Sequence, residues 1–188
     1  NLQLNQVKEP GVKAAFRESQ NRIQSMALIH ERLYKSRDLS RVNFSEYLRS
    51  LAVHLFHIYQ IDSNLIRLKV DTEEVFLDIN TAIPCALLVN ELISNSLKYA
   101  VPEGRSGELT IELKRIYNRR YKLSVRDNGI GLPEDFDIKN TKSLGVQIVG
   151  LLTDQLGGIL KFSTNGGAAF SLEFEELKYK KECRRWEK

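Results

Sequence analysis

Seven residues near the amino terminus recur at alternating steps of four and three: Val12, Phe16, Ser19, Ile23, Met26, His30 and Leu33. An α-helix gathers such positions into one narrow stripe. Residues from Pro10-Gly11 to about Lys35 are therefore expected to form a helix whose seam needs a partner, in a helical hairpin or a dimeric bundle. Ser19 and His30 place polar groups in that seam, which sets it apart from a plain coiled coil. Beyond Leu65 the period drops to two. Ile66, Leu68 and Val70 alternate with polar residues, as do Leu109, Ile111 and Leu113, then Leu123 and Val125. Each run reads as a strand with one buried face. A chain that changes period in this way is a helical arm followed by a mixed body.

Capping and turn residues place the remaining elements. Ser36 to Arg41 reads as a turn. Asn43, with Glu46 three residues on, makes a capping-box-like start for a helix whose apolar face is Tyr47, Leu48, Leu51, Leu55 and Ile58. Val75 to Leu77 suits a short strand, and Thr81 to Ala100 a long helix with Pro84 tolerated in its first turn. Asn128 to Ser143 is rich in glycine and charge and poor in core candidates, which predicts a mobile loop. A helix from Leu144 to Leu156 follows, then strands at Ile159–Ser163 and Ala169–Glu175 joined by Asn165-Gly166-Gly167. The expected fold class is α+β: helices on one face of a mostly antiparallel mixed sheet, preceded by the arm. The expected divisions are 1–39 for the arm, 40–177 for the body and 178–188 for a basic tail.

That tail decides how the charge is read. The net charge is +4, and residues 178–188 alone hold six Lys or Arg against two Glu. The 177 residues before them balance at 22 basic and 22 acidic, so nothing in the body argues for a nucleic-acid partner. No apolar run approaches the ~20 residues needed to cross a bilayer, and no basic-then-apolar leader pattern opens the chain. Cys85 and Cys183 are far apart and in no CxxC arrangement, which fits a reducing, cytoplasmic setting and no cysteine metal site.

Four segments carry chemistry. In Asn90-Glu91-Leu92-Ile93-Ser94-Asn95-Ser96-Leu97-Lys98-Tyr99-Ala100, helical spacing puts Glu91, Asn95, Lys98 and Tyr99 on one face. A carboxamide oxygen is a hard ligand suited to magnesium, a lysine neutralises phosphate, and a carboxylate orients water around a metal. An ordinary amphipathic helix would show the same stripe. Asp127-Asn128-Gly129-Ile130-Gly131 directly follows a strand. An Asp there can accept from an exocyclic amine, and glycines let the backbone approach a flat ring. A simple Asn-Gly turn is the bland alternative. Lys142-Ser143-Leu144-Gly145-Val146 opens a helix, with Ser143 placed to cap it and first-turn amides free to face a phosphate. Gly157-Gly158 and Gly166-Gly167-Ala168-Ala169-Phe170 bracket the last hairpin and discriminate little alone.

Together, in this order and at this spacing, the segments resemble the boxes of the GHKL superfamily. That superfamily unites histidine kinases, type II topoisomerases, Hsp90-like chaperones and mismatch-repair ATPases on the Bergerat fold. Asn90 to Ala100 looks like the N box, Asp127 to Gly131 the G1 box and Ser143 to Gly145 the G2 box, over roughly Ser40 to Leu177. The resemblance implies ATP and Mg2+ as ligands. By it Asn95 binds magnesium and Glu91 polarises water or assists the metal; these two are the expected catalytic residues. It also implies that Lys98 meets phosphate, Tyr99 flanks the base and Asp127 reads adenine N6. Gly129, Gly131, Lys142, Ser143, Leu144 and Gly145 complete the expected nucleotide site, with the loop to Ser143 as a lid.

The arm narrows the likeness. Phe16 to Tyr34 is similar to the second dimerisation helix of sensor histidine kinases related to the HWE group. This implies a homodimer through the arm, an upstream sensor domain and a response-regulator receiver domain as partner. In that group the phosphoacceptor sits in the first helix, in an H-x-x-x-K-N-N context. The acceptor is thus expected just before Asn1. The N box has no histidine and G1 is not followed by W-x-E, so the chain is a relative of that group. Ala168 stands where many kinases have the Thr of G-T-x-F.

His30 is followed by Glu31, but by this likeness it belongs to the second helix and is expected to pack in the seam. His54 and His57 share a helix with no third ligand in view. The reading is therefore a histidine kinase ATP-binding module for two-component signalling. Two alternatives stand beside it: a GHKL ATPase or anti-sigma-type serine kinase, and a catalytically silent ATP-binding dimer module.

Overall fold

The structure, a computed structural model, describes residues 9–35, 41–100, 106–141 and 143–177. The basic tail, Lys142 and Cys183 lie outside them. The arm is one helix, α1 (Pro10–Lys35), starting and ending where the seam pattern predicts. The His30 side chain is among those not described.

The body begins with β1 (Arg41–Asn43), α2 (Phe44–Ile58), β2 (Ile66–Thr72), β3 (Phe76–Asp78) and α3 (Ile79–Asn95). Asn43 caps α2 as its spacing predicts, its side chain accepting from the Glu46 amide at 3.1 Å. Asp78 caps α3 in the same way through Asn80. Both caps are the last residues of paired short strands, with Arg41 opposite Asp78 and Asn43 opposite Phe76. This ribbon holds the starts of the two helices side by side. Sequence reading placed a turn through Arg41 because a three-residue strand is too short to show a period. The early start of α3 also puts Pro84 inside the helix, not in its first turn.

Residues Ser96–Ala100 continue α3 as a wider π-type turn. Then come β4 (Gly107–Tyr117), β5 (Arg120–Asp127), α4 (Leu144–Gln155), β6 (Ile159–Ser163) and β7 (Ala169–Glu175). The main sheet has the order β2-β4-β5-β7-β6, with β2 parallel to β4 and every other pair antiparallel. Leu109, Ile111, Leu113, Tyr121, Leu123, Val125, Phe170, Leu172 and Phe174 form its inner face. Arg120, Lys122 and Arg126, on the opposite face of β5, are exposed. Period two thus gives one helix-covered face and one polar face. The inner face packs on α2 and α3, and Tyr121 stacks on Phe174 with centroids 5.7 Å apart.

Helix α3 lies at the centre, with α1, α2 and α4 against it. Buried Glu176 ties the end of the sheet to the ribbon, accepting from the Asp78 amide at 2.8 Å and pairing with Arg41 and Arg119 at 3.4 Å. Among the described residues no helix is long and apolar enough to cross a membrane.

Candidate nucleotide site

The site lies where three elements converge: the carboxyl end of α3, the end of β5 and the amino end of α4. Asp127 is the last residue of β5 and is buried. Its Oδ1 accepts from the amides of Gly129 and Ala168, both at 3.0 Å. Its Oδ2 accepts from the Ser96 hydroxyl at 2.8 Å. Two backbone donors and a hydroxyl hold the carboxylate in one orientation.

The glycines around it have separate tasks. Gly167, at φ +117°, lies so close that a Cβ there would collide with the Asp127 carbonyl oxygen and the Asn128 backbone. Gly131, at φ +81°, lies against Thr164. The Thr164 hydroxyl accepts from the Leu132 amide at 2.9 Å and fixes the start of the following loop to the last hairpin. That loop has more anchors than its composition suggests. Leu132, Phe136 and Ile138 pack against the core, and Phe136 meets the rings of Phe162 and Phe170 edge-on at 5.0 and 6.1 Å. Three apolar residues scattered among charged ones are enough to dock it.

These parts enclose a cavity of about 550 Å³. Asn95, Ser96, Tyr99, Asp127, Ile130 and Gly131 line it together with loop residues, Ser143, Val146, Ala168 and Phe170. Of the residues expected from sequence, Asn95, Tyr99, Asp127, Gly131 and Ser143 therefore meet in one place. Among the described residues no group hydrogen-bonds the Asn95 carboxamide, which leaves a hard oxygen available for a cation. Ser143 is at the cap position of α4, but its side chain makes no capping bond; its amide donates to the Thr141 hydroxyl at 3.1 Å. Leu144 is exposed in the first turn of α4.

The other expected residues that the structure describes do not line the cavity. Lys98 extends over the Tyr59 ring, 6.0 Å from its centroid, and does not line the cavity. The wider π-type turn breaks the 3.6-residue period that put Lys98 on the stripe of Glu91 and Asn95. Gly129 acts through its amide on Asp127.

Glu91 is 5% exposed, just outside the cavity lining, and Arg22 of α1 grips it with two hydrogen bonds of 2.6 and 2.8 Å. Asn90 adds a third at 3.3 Å. Gly145 fits directly against this carboxylate, since a Cβ there would lie 2.7 Å from Glu91 Oε2 and 3.8 Å from Asn95 Oδ1. One ion pair thus joins the arm, the Asn95 helix and the start of α4. Sequence reading missed Arg22 and Ser96 as site residues. Ser96 lay in the quoted segment beside Asn95, whereas nothing local marks Arg22, whose partner is 69 positions away.

Residues 80–178, more than half the chain, match the family described as histidine kinase-, DNA gyrase B- and HSP90-like ATPase. The chain belongs to that family. Residues 1–59 match a second family model, described as histidine kinase, so the chain carries the two histidine-kinase regions in series. It is 30% identical over 161 residues to the sensor histidine kinase PdtaS of Mycobacterium tuberculosis, covering 85% of this chain and 32% of that protein. It is 27% identical to blue-light-activated histidine kinase 2 of Erythrobacter litoralis, over 83% of this chain and 46% of that protein. The chain thus spans less than half the length of these relatives. Among solved structures, the histidine kinase domain of the Erythrobacter litoralis blue-light-activated kinase superposes with a TM-score of 0.77. That match covers 85% of this chain and 75% of the other; at 24% identity it is a likeness of fold.

Proposed function

We propose that the cavity binds ATP with magnesium and that the chain is the catalytic part of a protein-histidine kinase. The observation that carries this is the meeting of Asn95, Asp127 and the α4 amino end around one cavity, in a chain with both histidine-kinase regions. In this reading Asp127 takes the exocyclic amine of adenine, beside the backbone at Gly129 and Gly131, and Tyr99 flanks the base. The first-turn amides of α4, from Leu144 and Gly145 after Ser143, receive phosphate oxygens. Lys98, once it leaves the Tyr59 ring, and Lys142 supply positive charge to the phosphates. The Asn95 carboxamide would hold the metal. Magnesium, when bound, neutralises phosphate charge as a phosphoryl group departs.

The protein's part is then to position groups and exclude water. In this reading Glu91 is the second catalytic residue, polarising water or assisting the metal, and for that it has to release Arg22. The γ-phosphate passes to a histidine, and later to an aspartate of a response-regulator receiver domain. Residues 1–39 are the arm through which two copies dimerise, 40–177 the catalytic body and 178–188 a basic tail. The setting is the cytoplasm.

The test is incubation of the chain with γ-labelled ATP, magnesium and a polypeptide bearing an H-x-x-x-K-N-N helix. Base-stable, acid-labile label on that histidine is the expected result. Acid-stable label on serine would favour the anti-sigma-type alternative. Phosphate release without transfer would favour a plain ATPase, and binding without turnover a silent module.

A further inference from the structure

We propose that Ser96 is a specificity-determining residue, which with Asp127 makes the base end of the cavity accept 6-aminopurines and reject 6-oxopurines. The inference rests on the cavity being an adenine-nucleotide site. It begins from proton counting. A serine hydroxyl has one proton, and an ionised carboxylate has none. Ser96 gives its proton to Asp127 Oδ2 at 2.8 Å. Asp127 Oδ1 already takes two amides, from Gly129 and Ala168. What the pair can still offer the cavity it lines is the free lone pairs of Oδ2 and of the Ser96 oxygen. Both are acceptors. Ala168, its amide committed to Oδ1, adds only a methyl group beside them.

An exocyclic amine brings donors to such a wall, whereas a 6-oxo group would set an acceptor against acceptors and leave buried groups unpaired. Unpaired polar groups at a closed site are what give large discrimination between near-isosteric ligands. A hydroxyl free to rotate could donate to a 6-oxo group, and the bond to Asp127 denies Ser96 that freedom. The fold places the residue for this. Ser96 opens the π-type turn immediately after Asn95, so consecutive residues serve two parts of one cavity. Asn95 stands 3.8 Å from where a Gly145 Cβ would lie, at the phosphate end, and Ser96 bonds Asp127.

The experiment measures dissociation constants for three probes: ATP, inosine triphosphate, and purine riboside triphosphate, which has hydrogen at position 6. Wild type, Ser96→Ala and Ser96→Thr are titrated, with thermal unfolding as a check on folding. Wild type is expected to bind ATP more tightly than either other probe. Ser96→Ala should weaken ATP about tenfold, as for one lost hydrogen bond at a closed site. It should leave purine riboside triphosphate within about twofold and narrow the gap between ATP and inosine triphosphate, because water in place of the hydroxyl can donate as well as accept. Ser96→Thr keeps the hydroxyl and should retain the ATP preference. Equal weakening of ATP and purine riboside triphosphate in Ser96→Ala would reduce Ser96 to a packing role and overturn the proposal. So would an unaltered ATP preference. Failure of wild type to bind any of the three would instead overturn the nucleotide site itself.

Discussion

At the scale of single residues, backbone contact ranks the glycines more sharply than their place in a hairpin does. Gly166 and Gly167 are adjacent and both have positive φ, at +71° and +117°. A Cβ on Gly166 meets nothing within 4 Å, while one on Gly167 enters the Asp127 backbone. Gly166→Ala should therefore cost only the conformational penalty of about 1–2 kcal/mol. Gly167→Ala adds a clash with main chain that cannot rotate away, and should cost more than about 3 kcal/mol. It should also disturb ATP binding by moving the carboxylate. Urea denaturation of the two variants checks this, and equal midpoints would show that Gly167 is not wedged against β5. Asp127 was legible from sequence because a carboxylate at a strand end followed by two glycines is a local pattern. Ser96 was not, since its meaning comes from a partner 31 positions away.

At the scale of elements, helix α1 is held to the body partly by one guanidinium. Arg22 and Glu91 are 15% and 6% exposed at their side chains, and the two bonds between them are well formed. Truncating one partner of a covered pair leaves the other without compensation, at a cost of about 3 kcal/mol or more. Arg22→Ala is thus expected to raise hydrogen exchange in α1 by about a hundredfold, with β4 and β5 unaffected, because local opening follows local contacts. Unchanged protection of α1 would mean that the other contacts of the arm, among them the Asn21–Tyr59 hydrogen bond, dock it without this pair. The extents of α1, α2 and α4 were readable because each has a sustained period and a cap. Lys98 shows where that reading ends. Its place on the stripe assumed a uniform helix to Ala100, and the widening after Asn95 turned it toward Tyr59. The short strands Arg41–Asn43 and Phe76–Asp78 carry no period, and only their pairing defines them.

At the scale of the whole molecule, the chain links the arm to the cavity through α3, which packs on α1 and lines the cavity with Asn95. The sheet supplies Asp127 on one side and the loop anchored by Phe136 covers the other, so both ends of the ligand depend on packing set far from it. In the proposed function this cavity binds ATP through a metal held at Asn95. Asn95 lines the cavity, and among the described residues nothing hydrogen-bonds its carboxamide, so Asn95→Ala removes the proposed ligand and leaves the packing of α3 intact. Calorimetric titration with ATP, with and without magnesium, on wild type and Asn95→Ala measures this directly. Magnesium should tighten ATP binding to wild type, and the variant should lose that gain, a change of at least about 1–3 kcal/mol. A magnesium effect of the same size in the variant would contradict the account.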